Sequence, residues 1–272
     1  MDVAGVSVLG VVLGAVLCGA LGLLVPRLIS AVPEPEPEPE PETETETELK
    51  TELETELETD SDEDPGSEPS GAVAEKELYA DIAAAPHLAG RSLVICALVG
   101  ALIGGAVGLD WALVFLVPLV PVGMALALID WRTRLLPTWI IKRTYLALIP
   151  LVVVAALASG DPRLLQRAAI GWAVIGGYYF VSWFIYPAGI GYGDVRLSGI
   201  LGIVLGYLGV GEMALGSVSG LLLGSIGGLL LLAFKVVDRR HNPFGPWMLI
   251  GALVGIVAGP AFELWMWGDL AV

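Results

Sequence analysis

The sequence predicts an all-α membrane protein with about eight transmembrane helices and one disordered acidic loop. Apolar residues make up 56% of the 272 residues, and the mean hydropathy is +0.77, whereas a soluble domain contains about 45–50% apolar residues. The apolar residues form runs of about 20, the length that a helix needs to cross ~30 Å of hydrocarbon. The 35 glycines fit the same interpretation, because small residues let membrane helices approach closely.

The first apolar run covers about residues 3–26 and is closed by Pro26 and Arg27. A retained helix is favoured over a cleaved signal peptide, because no basic segment precedes the run and it is long for a signal-peptide core. Seven more runs follow from Arg91 onward, and each is long enough to predict a helix. They lie at about 92–109, 111–129, 139–158, 168–187, 196–210, 213–235 and 247–266.

An acidic, low-complexity segment separates the first run from the others. Residues 34–68 contain 17 of the 29 acidic residues and a single base, Lys50, so the formal net charge of −15 belongs mostly to this segment. It has too few apolar residues to offset the entropy of the chain, which predicts disorder. The chain is therefore expected to divide into a first helix at 1–26, an acidic loop at 27–90 and a seven-helix core at 91–272.

The loops between the predicted helices carry their basic residues unequally. Cytosolic loops of membrane proteins are rich in Lys and Arg, so the basic side is predicted to face the cytosol, with both chain termini and the less basic loops outside. This places the acidic loop in the cytosol. The basic side carries Arg132, Arg134, Lys142, Arg143, Arg196, Lys235, Arg239 and Arg240, and the other side carries Arg163 and Arg167.

Asp130 and Asp194 are the two acidic residues that most need a functional explanation. Each borders an apolar run, where a carboxylate is costly and is a functional candidate by default, and both are predicted to lie in the same cytosolic layer. Five further acidic residues of the core have ordinary explanations in turns, at helix ends near water or in a solvated loop. These are Asp110, Asp161, Glu212, Glu263 and Asp238.

Three alternating glycines, Gly189, Gly191 and Gly193, precede Asp194. Glycine permits unusual backbone conformations and close approach of another chain, so the stretch is expected to break the helix beside a cavity. A structural explanation stays open for both aspartates. Asp194 could cap a helix, where the dipole favours a negative charge, and both aspartates have arginines within a few residues.

Two carboxyl groups held close together cannot both ionise easily, so they share one proton. One group can then take a proton from water while the other polarises a carbonyl, which is the chemistry of aspartyl proteolysis. This reaction needs no metal and no cofactor. Cys18 and Cys96 do not form a CxxC pair, and His87 and His241 are far apart in the chain. No HExxH, GxSxG or Walker motif is present.

Three blocks of residues resemble the type IV prepilin peptidases, which are leader peptidases of the GxGD aspartyl protease group. ALIDWRTRLLP at 127–137 resembles the first aspartate of the family with its downstream Leu-Pro. GYGDVRL at 191–197 resembles the GxGD motif followed by a basic residue and leucine. NPFGP at 242–246 resembles the Pro-Phe-Gly-Pro sequence before the last helix of the family.

The resemblance implies that Asp130 and Asp194 are a catalytic pair. It further implies a membrane endopeptidase that removes the short basic leader of prepilins at the cytosolic membrane face, with prepilin or pseudopilin precursors and the lipid bilayer as partners. No metal, cofactor or nucleic acid is expected. Residues expected to bind substrate or support the backbone are Gly191, Gly193, Pro137 and Arg196.

Two departures from the family pattern bear on function. Thr138 follows the proline of the first block, where family members often have Asn or Asp. The first cytosolic loop lacks the two CxxC pairs of bifunctional members, so methylation of the new N-terminus is not expected. Two alternatives stay open: a GxGD protease for other membrane peptides, and a non-catalytic transporter that uses the aspartates as ion ligands.

Overall fold

The computed structural model describes residues 2–3, 6–34, 78–187, 190–233 and 243–268, and these are almost entirely helical. This confirms the prediction of an all-α fold. Within the described ranges the only strands are β1 (Asp2–Val3) and β2 (Val6–Ser7), a short antiparallel pair before the first helix. The acidic segment predicted to be disordered lies, apart from Glu34, outside the described residues.

Eleven described α-helices and one π-helical turn follow one another along the chain. In order they are α1 (Val8–Gly22), α2 (Val25–Ser30), α3 (Tyr79–Ala83), α4 (Leu88–Val107), α5 (Leu113–Thr133), α6 (Thr138–Ser159), α7 (Arg163–Gly171), the π-helical turn (Trp172–Gly176), α8 (Gly177–Ile185), α9 (Tyr192–Leu208), α10 (Val210–Ala233) and α11 (Gly245–Trp267).

Six described helices are long and apolar enough to cross a membrane: α4, α5, α6, the continuous stretch Arg163–Ile185, α10 and α11. Two more helices correspond to predicted runs but are shorter, with 15 residues in α1 and 17 in α9. All eight predicted runs therefore contain a helix, although two fall short of the ~20 residues that a perpendicular span needs. The chain is a multi-pass membrane protein.

The helix boundaries differ from the predicted ones near the acidic loop. Pro26 does not close the first helix but lies in the first turn of α2, where a proline costs no hydrogen bond. Helices α2 and α3 pack together through Val25, Ile29, Tyr79 and Ile82, which are all buried. Their apolar spacing of three or four residues is helical, but each pattern is too short to stand out beside the acidic segment.

Glycines bring α1 and α4 into backbone contact. A Cβ atom added to Gly10 would lie 2.1 Å from the carbonyl oxygen of Gly104, and one added to Gly14 would lie 2.1 Å from that of Gly100. Cys18 and Cys96 lie in the same interface, where both are buried and free. A bilayer supplies no hydrophobic driving force between helices, so the close packing that small residues allow holds α1 and α4 together instead.

Four helix ends meet at one end of the bundle. They are the C-terminus of α5 and the N-termini of α6, α9 and α11, joined by hydrogen bonds from Gly245 to Asp130 and from Arg196 to Thr138. At the opposite end, the Arg167 side chain donates to the carbonyl oxygen of Leu208, where α9 ends. This antiparallel arrangement places the aspartates and most of the described basic residues of the core at the same end.

Candidate active site

Asp130 lies three residues before the end of α5 and is only 5% exposed. Its Oδ2 atom accepts a hydrogen bond of 2.9 Å from the backbone N–H of Gly245. Gly245 is the first residue of α11, so the carboxyl group lies at the N-terminus of that helix, where the helix dipole favours negative charge. The first and third sequence blocks are therefore joined by a direct hydrogen bond.

Asp194 lies in the first turn of α9, and Gly191 is the N-cap residue of that helix. The backbone of Gly191 hydrogen-bonds to the Asp194 carboxyl group, so the side chain reaches back to the N-cap as in a capping box. Asp194 therefore lies at a helix N-terminus, although Gly191, and not Asp194, is the N-cap residue. Capping does not exclude chemistry, because it also holds the carboxyl group in one orientation.

The two aspartates lie close enough to interact electrostatically. Asp194 lies outside the six long apolar helices, and burial raises its pKa to about 7. The negative charge of Asp130 acts in the same direction, while the hydrogen bond from Gly191 opposes it. A carboxyl group in this situation keeps a proton near neutral pH, which is the state that a shared-proton pair requires.

Glycine is needed at this site for close approach rather than for an unusual backbone conformation. Gly191 has φ −69° and ψ 141°, which any residue can adopt. Gly193 is helical, but a Cβ atom there would lie 2.7 Å from the Cβ atom of Leu136, in the turn between α5 and α6. The predicted break of the helix is present between Ile185 and Tyr192, and Gly189 lies outside the described residues.

Pro137 and Arg196 connect the first and second blocks. Pro137 is buried, and its extended backbone (φ −61°, ψ 119°) directs the chain from the turn into α6 as the N-cap residue. The Arg196 guanidinium group donates to the hydroxyl of Thr138 and lies 4.4 Å from the centroid of the Tyr192 ring. Arg196 is thus engaged with its own helix and with α6.

Two aromatic residues support the site: Phe244, which stands in the third sequence block, and Tyr179, which belongs to none of the three blocks. Phe244 packs so closely on α10 that a Cβ atom at Gly224 would lie 2.2 Å from its ring, and its centroid is 6.2 Å from that of Tyr179. Tyr179 is 3% exposed and lies near the carboxyl group of Asp194. It stands in a run of aromatic residues in α8, where the sequence carries no signal that distinguishes it from its neighbours.

An apolar cavity of about 260 Å³ is lined by residues one helical turn from each aspartate. Leu126 and Leu197 line it one helical turn from Asp130 and Asp194, and Pro246 lines it next to Gly245. The lining also includes residues deeper along the same helices, among them Ile103, Leu116, Leu119, Val204 and Ile256. The cavity can therefore receive an apolar group from a molecule that is bound at the carboxyl pair.

No group of three or more His, Cys, Asp or Glu residues lies together in the part of the chain that the structure describes. At this end of the bundle the described residues include two carboxyl groups, which are hydrogen-bonded by backbone N–H groups and surrounded by apolar and aromatic side chains.

The sequence model of the type IV leader peptidase family matches residues 117–259, which is more than half of the chain and includes all three blocks. The chain belongs to the type IV leader peptidase family. The resemblance seen in the sequence is thereby confirmed, and membership makes the chain a membrane peptidase. The comparison with curated proteins gave no match, and neither did the comparison with solved structures.

Proposed function

We propose that this leader peptidase is an aspartyl endopeptidase that removes the short basic leader from prepilin-like precursors at the cytosolic face of the cell membrane. The observation that carries the proposal is the meeting of Asp130 and Asp194 at one end of the bundle, each held by a backbone group at a helix N-terminus. The family match supports the peptidase activity, and the coupling of the two carboxyl groups supports the aspartyl mechanism.

The reaction follows from one proton shared by the pair. Asp194, whose pKa is raised to about 7, carries the proton and donates a hydrogen bond to the carbonyl oxygen of the scissile peptide. Asp130, as the carboxylate, takes a proton from a water molecule, whose oxygen then adds to the carbonyl carbon. The tetrahedral species collapses as the leaving amine receives a proton from the pair. The products are the free leader and a mature chain with a new amino terminus.

The proposed substrate enters with its apolar part in the membrane. The cavity lined by Leu126, Leu197 and Pro246 lies next to the pair and has almost entirely apolar walls, so it suits the apolar residues beside the scissile bond. The basic leader is proposed to remain at the membrane surface. Family membership favours this peptidase function over the transporter alternative.

The test is co-expression of the chain with candidate prepilins, with the N-termini of the products read by mass spectrometry. Asp130→Asn and Asp194→Asn should each abolish leader removal without loss of membrane insertion, because neither amide can take up or donate the shared proton. Substantial cleavage by either variant would refute the assignment. Methylation of the new N-terminus, which is not expected, would be visible in the same spectra.

Asp161→Asn is the matched control. Asp161 is exposed and accepts a hydrogen bond from the backbone N–H of Arg163 at 2.9 Å, so it is also a capping aspartate. An amide oxygen can accept the same hydrogen bond, and cleavage should stay at the wild-type level. If the products begin at sites unrelated to a leader junction, the alternative of a GxGD protease for other membrane peptides is supported instead.

A further inference from the structure

The turn between α5 and α6, together with α6 itself, contacts the first two turns of α9. Gly193 fits against Leu136, with no room for a Cβ atom between them. Two helical turns into α6, the hydroxyl group of Tyr145 donates a 3.0 Å hydrogen bond to the backbone carbonyl of Arg196. The side chain of Arg196 also donates a hydrogen bond to Thr138. Both the backbone carbonyl and the guanidinium group of Arg196 are therefore bonded to α6.

Tyr145 is itself fixed by its surroundings. The indole group of Trp172 hydrogen-bonds to its hydroxyl, and a Cβ atom at Gly199 would lie 2.1 Å from the hydroxyl oxygen. The hydroxyl therefore fits into a space that a glycine leaves open, and it bridges the π-helical turn to α9. Because the carbonyl of Arg196 accepts this hydrogen bond from outside α9, the bond restrains the position of α9 at that residue.

These bonds connect the two backbones that carry the aspartates. Asp194 precedes Arg196 by two residues in the first turn of α9, and Asp130 lies eight residues before Thr138 across a single tight turn. Movement of α9 along or around its axis would change the separation of the carboxyl groups. A displacement of about 1 Å at a catalytic group can cost about 10²-fold in rate.

We propose that Thr138 and Tyr145 are positioning residues, which act through Arg196 to fix the first turn of α9 and with it the separation of the two carboxyl groups. The inference rests on the proposed function of the aspartate pair. It also assigns a role to Thr138, which stands where the family often has Asn or Asp: its hydroxyl supplies the hydrogen-bond acceptor for Arg196.

Four variants of the full chain test the proposal by steady-state leader cleavage in detergent. Thr138→Val and Tyr145→Phe remove one hydroxyl each and should lower kcat about 10-fold with KM nearly unchanged, because the substrate still binds to a misaligned pair. Thr138→Ser keeps the acceptor and should restore kcat to within about twofold of wild type. Ser182→Ala is the control for removal of a hydroxyl, because the hydroxyl of Ser182 donates to the carbonyl oxygen of Tyr178 in its own helix.

Hydrogen exchange of a peptide covering residues 190–197 gives a second readout that does not depend on proteolysis. Exchange should be faster in Thr138→Val and Tyr145→Phe than in wild type, and unchanged in Thr138→Ser and Ser182→Ala. The proposal is overturned if the first two variants keep wild-type kcat and exchange, or if Thr138→Ser is as impaired as Thr138→Val. Failure of the proposed function would instead show as cleavage that survives Asp130→Asn, whatever the exchange result.

Discussion

One backbone N–H group, that of Gly245, decides where the carboxyl group of Asp130 lies. The hydrogen bond joins residues that are 115 positions apart in the chain, and it places the carboxyl group at the start of α11. Asp194 is held in the same way at the start of α9. Helix N-termini favour the ionised form of a carboxyl group, whereas burial favours the protonated form, so each aspartate is subject to opposing effects.

Gly245→Ala should abolish or strongly reduce leader cleavage. A Cβ atom at this position would lie 2.8 Å from Oδ2 of Asp130, so the carboxyl group would have to leave its hydrogen bond. We expect a loss of at least about 10-fold in kcat/KM, measured on a purified prepilin. Gly177→Ala is the control, because nothing lies within 4 Å of the added atom; equal losses in the two variants would contradict this account of Gly245.

The raised pKa of Asp194 makes stability depend on pH. Its pKa moves from 3.8 to about 7 in the folded protein, so the folded state binds this proton more tightly than the unfolded state. The resulting stabilisation is complete below about pH 3.8 and is lost as the pH rises through about 7.

Asp194→Asn removes this dependence, because the amide stays neutral at every pH. Thermal midpoints of the variant and of wild type are measured in detergent at pH 5 and at pH 8.5. The midpoint of the variant relative to that of wild type should be several degrees higher at pH 8.5 than at pH 5, because only wild type loses this stabilisation. Asp161→Asn provides the comparison for effects of charge at an exposed site. A difference between variant and wild type that stays constant or shrinks over this range would contradict the raised pKa.

At the scale of helices, α9 differs from its neighbours because it is buried on nearly every side. Eleven of its residues from Val195 to Tyr207 are buried, whereas the long apolar helices have exposed faces suited to lipid. A helix enclosed by protein does not have to match the thickness of the bilayer, which explains why 17 residues suffice. The same enclosure holds the Asp194 end of the helix in place.

The glycine contact between α1 and α4 predicts a position where even one methyl group is destabilising. In Gly14→Ala the added Cβ atom would lie 2.1 Å from the carbonyl oxygen of Gly100, so the two helices must separate. Overpacking of this kind costs about 1–3 kcal/mol, which should lower the thermal midpoint in detergent. Gly90→Ala in α4, with nothing within 4 Å of the added atom, should leave the midpoint unchanged or raise it.

At the scale of the whole molecule, the charges at the two ends of the bundle are unequal. The end that holds the aspartates also holds Lys142, Arg143 and Arg196, and the opposite end holds Arg163 and Arg167. The structure relates these residues to one another, and the positive-inside rule supplies the proposed direction relative to the cell.

Cysteine labelling in intact cells tests that direction. Lys142→Cys and Asp161→Cys place thiols at exposed positions on opposite ends of α6 and its following turn. A membrane-impermeant maleimide should label residue 161 in intact cells and residue 142 only after the cells are opened. Cys18 and Cys96 are buried, so the wild-type chain is the background control; the reverse labelling pattern would place the aspartates outside.

The helices were largely predictable from the sequence, because the length and polarity of an apolar run are local properties that the bilayer makes decisive. The exceptions are informative. Helices α2 and α3 were missed because their buried faces contain only two apolar residues each. The prediction that Pro26 closes the first helix was wrong, because a proline in the first turn of a second helix looks in the sequence like the end of the first helix.

The sequence alone determined that this is a multi-pass membrane protein of the leader peptidase type, and it selected Asp130 and Asp194 by their cost in apolar surroundings. Only the tertiary structure decided how those residues are held, since hydrogen bonds from Gly245 to Asp130 and from Arg196 to Thr138 join distant parts of the chain. The two glycines before Asp194 illustrate the difference. Gly191 and Gly193 look equivalent in the sequence. Only at Gly193 does the turn between α5 and α6 approach closely enough to exclude a side chain.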